Sequence, residues 1–121
     1  IIPDSVTTIG YYAFSNNQLI NIIIPDSVTT IEQEAFDYNK LTSVTIGNGI
    51  QYINKTAFEK SSYSNPNLSK ITINKSCNEI KNIQASSTNA NKYYPWLNYN
   101  RPYTASGVTI YGSNNEVCDS F

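Results

Sequence analysis

The 121-residue sequence contains no histidine, no methionine and only two cysteines. Without histidine the usual general acid–base near neutral pH is missing, and so is the commonest metal ligand. Two thiols alone do not complete a structural zinc site. Charge is equally scarce: 14% of residues are charged, and eight basic against nine acidic groups leave a net −1. Nothing in that balance attracts a nucleic acid or an anionic membrane surface. The longest aliphatic run, Ile22 to Ile24, ends at Pro25, far short of the roughly 18 residues that a membrane-inserted helix needs. What the chain does have is apolar content, 40%, enough to fold around one continuous core.

Those apolar residues recur. Ile-Pro-Asp-Ser-Val-Thr-Thr-Ile at Ile2–Ile9 returns unchanged at Ile24–Ile31, 22 residues later, and a looser copy starts at Ile46. A fourth starts at Ile73, after a five-residue lengthening between Phe58 and Leu68. Aligned, the copies give apolar columns: Ile2, Ile24, Ile46 and Ile73; Val6, Val28, Ile50 and Cys77; Ile9, Ile31, Ile53 and Ile80. Ala13-Phe14, Ala35-Phe36 and Ala57-Phe58 add two more, and Leu19, Leu41 and Leu68 open the following copies. The positions between drift freely. Stacked repeats require this, because each buries the same side chains against its neighbours.

Within a copy, Val44 and Ile46 alternate with Ser43 and Thr45, the period of a strand with one buried face. Successive strands are expected side by side and parallel. Pro25 or Gly47 ends each strand, Asp26-Ser27 supplies turn chemistry, and Glu32 to Phe36 is expected as a short helical turn.

The pattern Leu-x-x-Ile-x-Ile-Pro-x-Ser-Val-x-x-Ile-x-x-x-Ala-Phe, as it stands from Leu19 to Phe36, is similar to the BspA-type leucine-rich repeat family. The likeness covers Ile1 to about Ile80. It implies an α/β-type solenoid, with a parallel sheet on one face and short helical turns or loops on the other. It also implies a non-catalytic module of a bacterial surface or secreted protein, extracellular, that binds a protein partner or mediates adhesion. An Asn or Cys three residues past Ala-Phe is common in that family; Asn17 and Asn39 hold the position and Ser61 replaces them. Such an Asn is expected to bond backbone groups of the turn. Irregularity is expected around Ser61.

Residues 1–80 are therefore expected as repeats and residues 81–121 as a degenerate last turn of the stack plus a cap. Because Ile1 falls in mid-repeat, further N-terminal repeats or a cap are expected ahead of it. In the tail, Gln84-Ala85 stand where Ala-Phe would be, and a polar run follows from Ala85 to Lys92. Gly107 to Tyr111 reads as a last parallel strand, with Val108 and Ile110 matching Ile71 and Ile73. Tyr93, Tyr94 and Trp96 read as cap residues that shield the core with their polar tips in water. Their alternative role is a glycan-stacking site. Arg101-Pro102-Tyr103 reads as a rigid loop. Cys77 is either a small buried hydrophobe or the partner of Cys118, in which case a loop of about 40 residues contributes roughly 3–4 kcal/mol.

Chemistry is thin. Glu32, Glu34 and Asp37 read as a solvated face, since catalytic carboxylates need a cleft and one raised pKa. The column Asp4, Asp26, Asn48, Lys75 ends in a cation, which argues against calcium. No cofactor or metal is implied, and enzymatic activity is not expected. The candidate site is the outward strand face: Asn21, Ile23, Ser43, Thr45, Lys70, Thr72 and Asn74. A protein partner is the first expectation for it, with a glycan or cell-wall polymer second and a passive appendage of an enzyme third; oligomeric state stays open.

Overall fold

A computed structural model describes residues 1–85, 93–97 and 107–121; the polar run beyond Ala85 and the Arg101-Pro102-Tyr103 loop fall outside them. In chain order the elements are β1 (Thr8–Ile9), β2 (Asn21–Ile24), β3 (Thr30–Ile31), β4 (Ser43–Ile46), β5 (Tyr52–Ile53), β6 (Lys70–Ile73), α1 (Cys77–Lys81), β7 (Thr109–Tyr111) and β8 (Val117–Ser120). Strands β2, β4 and β6 pair in parallel, with Ile22 opposite Val44 and Val44 opposite Ile71, then Ile24 opposite Ile46 and Ile46 opposite Ile73. The aligned columns are thus the pairing register. One face of each strand is buried and the other turned out, as alternation demands.

The sheet goes on to β7, parallel to β6, and ends with β8, antiparallel to β7. Here the expectation is corrected: Ile110 lies opposite Ile71, not Ile73. The shift is two residues, which leaves every side chain on its own face and therefore costs the apolar pattern nothing. The antiparallel β8 follows from a tight reversal in which Gly112 N–H donates to Glu116 O (2.9 Å) and Asn115 adopts a left-handed φ of 58°.

A second parallel sheet, β1-β3-β5, was not legible in the sequence. Its strands are two residues long and align Ile9, Ile31 and Ile53, all buried. The helical turns expected at Ala-Phe are a further correction, since these segments form hydrogen-bonded turns and α1 is the one α-helix among the described residues. Tyr12, Asn16, Glu34 and Tyr38 hold left-handed φ angles of 53–58°, which no helix interior accepts. N–H groups of these turns point across repeats instead: Tyr12, Phe14 and Asn16 donate to the carbonyls of Gln33, Ala35 and Asp37 at 2.9–3.1 Å. The architecture is consequently two sheets with little helix.

Helix α1 is short and well terminated. Ser76 Oγ accepts from Glu79 N–H, and Glu79 Oε1 accepts from Ser76 N–H, both at 3.2 Å. It displaces the repeat pattern, so that Ile80 is buried from a helix rather than a strand. Gln84, expected in the Ala-Phe position, instead bridges to Tyr52 and donates to Gln51 O.

Inside, Phe14, Phe36 and Phe58 stack with centroids 5.3 and 5.0 Å apart and planes 8° from parallel. Beside them runs a buried amide ladder. Asn39 Nδ2 donates to the carbonyls of Phe14, Phe36 and Asp37 while its Oδ1 accepts from Leu19 N–H. Asn65 repeats the arrangement one step on, donating to Phe36 O and accepting from Leu41 N–H. The ladder thus continues through Asn65, and Ser61 does not take the Asn position; its Oγ instead accepts from Tyr63 and Ser64 N–H and closes the inserted turn.

Cys77 and Cys118 form a disulfide joining α1 to β8. Cys77 is half-buried rather than a core hydrophobe. Trp96 and Tyr94 pack below the last repeat, each 2% exposed. The Trp96 indole N–H turns inward to Ile80 O at 2.9 Å instead of facing water as expected.

Candidate partner-binding face

Pairing of the five-stranded sheet sets two outward rows. Asn21, Ser43, Lys70 and Thr109 align in one; Ile23, Thr45, Thr72 and Tyr111 align in the other. The structure therefore brings six of the seven candidate residues onto one surface, and Asn74 follows directly after β6. In the first row Ser43 Oγ donates to Asn21 Oδ1 at 2.7 Å. Across the rows Lys70 Nζ sits 4.7 Å from the centroid of the Tyr111 ring, a cation–π contact that holds the long cation flat on the sheet.

Toward the C-terminal ends of these strands the second row opens into a groove of about 620 Å³, lined among others by Ile23, Thr45, Thr72 and Asn74. Ile23 is 73% exposed, an aliphatic side chain left in water on an otherwise polar ridge. The far rim is built by Asp4, Asp26 and the turns of the next repeat. Asp26 Oδ1 accepts from Asn48 N–H at 2.8 Å. The two chains run so close here that a Cβ on either Gly47 or Gly49 would collide with Asp26, which is why glycine occupies both positions in the looser copy.

Thr109, Tyr111, Ser113 and Asn115 also belong to this surface and were missed in the sequence. Gly107 to Tyr111 offers only two aliphatic residues, and two residues fit a period of two equally well in any even register. The aromatic alternative fares differently. Tyr94 and Trp96 are buried, so their ring faces are not open to a sugar, and only Tyr93 is exposed, with Lys81 Nζ 5.2 Å from its centroid.

The acidic turn also needs correction. Asp37 is 3% exposed, not part of a solvated face, and its Oδ1 accepts from Glu59 N–H at 3.2 Å. Burial, reinforced by the Glu59 and Glu34 carboxylates, pushes its pKa up to about 7. No substrate reaches a carboxyl so enclosed, so the raised pKa bears on stability. In the unfolded chain the group ionises near its ordinary value, whereas the folded chain holds the proton to about pH 7. Stability from this group is therefore present in full below about pH 4 and is lost as pH rises to 7. Asp37→Asn is expected to raise stability at pH 8 by about 2–4 kcal/mol and to leave it nearly unchanged at pH 4. Urea midpoints of both proteins across that range check this; parallel curves would contradict it.

Compared with known proteins, residues 1–94 match a family model described as BspA type Leucine rich repeat region, in six copies. The match extends past Ile80 to Tyr94. No curated protein and no solved structure matches the chain.

Proposed function

The chain belongs to the BspA-type leucine-rich repeat family, and from that premise we propose that it is a non-catalytic solenoid module that binds a protein partner on the open face of its five-stranded sheet. The observation that carries this reading is the double row of outward side chains, with a groove along it and an exposed Ile23 at its edge. Regular rigid faces of this kind are what stacked repeats offer to partners, and an exposed aliphatic beside polar neighbours is a common interface feature. The described residues beyond Ile80 serve as the cap: Trp96, Tyr94 and Ile110 cover the last repeat, and the disulfide ties β8 down over it. A cross-link between half-exposed cysteines suits an oxidising compartment, so the module belongs to a secreted or surface-displayed bacterial protein. No helix among the described residues is long and apolar enough to cross a membrane.

Thr45→Arg combined with Thr72→Arg places two bulky cations in the middle of the second row. Binding to the host or bacterial surface that the module recognises is expected to fall at least about tenfold, while circular dichroism and the unfolding midpoint stay close to wild type. Adhesion or solution binding that survives both substitutions would remove the sheet face from consideration.

A further inference from the structure

The groove has a charge character that narrows its occupant. Its charged lining groups are Asp4 and Asp26, equivalent carboxylates of successive repeats, and no lysine or arginine lines it among the described residues. Both aspartates are exposed. Like charges at equivalent positions of neighbouring repeats repel mildly, and a cation seated between them reverses that cost. The Asp26 carboxylate is held in place by Asn48 N–H. Ile23 and Pro25 supply an apolar floor immediately alongside.

Resting on the sheet-face reading above, we propose that the occupant is an extended protein segment carrying a lysine or arginine beside an apolar side chain. The basic head lies between Asp4 and Asp26, with its donors shared between their carboxylate oxygens. The apolar neighbour covers Ile23 and Pro25, the aliphatic lining residues that are not fully buried. Charge complementarity decides against an acidic segment, which would meet two carboxylates and no compensating cation. The attraction acts at the surface, so it weakens as salt shortens the screening length.

The test is to pan a phage-displayed random dodecapeptide library on the intact module and measure the enriched peptides by fluorescence anisotropy. The expected result is enrichment of a basic residue next to an apolar one. Affinity should drop about tenfold in Asp4→Asn/Asp26→Asn, fall with added salt, and hold in Glu59→Gln, a control for general acidity. Asparagine at 26 keeps the oxygen that accepts from Asn48 N–H, so the double variant tests charge and not local structure. Peptides without basic bias, or unaffected by the double variant yet blocked by Thr45→Arg/Thr72→Arg, would overturn the cationic occupant and leave the sheet face standing. Peptides indifferent to both double variants, or an unenriched library, would overturn both readings.

Discussion

Phe36→Ala is expected to destabilise the protein by about 3–5 kcal/mol, the range for removing an aromatic ring from a closed core. Phe36 is fully buried and lies between two parallel rings, Phe14 at 5.3 Å and Phe58 at 5.0 Å. Its removal opens a void at a point where three consecutive repeats meet. Backbone relaxation cannot close that void. Phe36 N–H bonds Ala57 O and Phe14 N–H bonds Ala35 O, so the turns on both sides are fixed to one another. Phe14→Ala serves as the internal comparison: Phe14 is half-buried and stacks on one ring only, and its loss should cost about half as much. Denaturant midpoints for the two variants check the ordering, and equal costs would contradict it.

Asn39→Ala removes a group 2% exposed that holds four backbone partners. The Leu19 N–H would lose its partner, and a part-buried polar group left unsatisfied costs about 1–3 kcal/mol; the carbonyls of Phe14 and Phe36 lose one donor each but keep Asn17 Nδ2 and Asn65 Nδ2. A total of about 2–3 kcal/mol is expected, with water recovering part of it. Asn17→Ala, at the equivalent but exposed position, removes bonds only to Phe14 O and Ser15 O and should cost less than about 1 kcal/mol. Hydrogen exchange adds a local readout. The Leu19 amide should lose protection in Asn39→Ala, while the Leu41 amide, held by Asn65, keeps it. Unchanged exchange at Leu19 would contradict the ladder.

Much of this is legible in the sequence because repetition carries register. Identical octapeptides 22 residues apart allow Ile24 only one natural partner in the next repeat, and Ile46 takes it. The outward rows followed from the same alignment, since the face opposite a buried column is fixed by strand geometry. Where repetition stopped, so did legibility. The last strand kept its face but slipped by two, as Val108 and Ile110 alone cannot distinguish even registers. Asn65 was hidden because the insertion lies mostly before it. Counting forward from Phe58 lands on Ser61, whereas counting back from Leu68 approaches Asn65. Asp37 looked like surface because carboxylates are seldom buried; only the neighbouring repeat's Glu59 N–H shows what it is held by. The second sheet and the helix-free turns depend on left-handed φ angles at Tyr12 and Glu34, which bulky residues rarely adopt and no local pattern announces.

Equivalent side chains of successive repeats lie on one another, and the most direct measurement of that is a nuclear Overhauser spectrum of the isotopically labelled module. Ring protons of Phe36 should show cross-peaks to the rings of both Phe14 and Phe58, and Val44 to both Ile22 and Ile71. A spectrum in which Phe36 and Val44 contact only residues near them in sequence would contradict the stacked arrangement, and with it the sheet face on which the proposed binding depends.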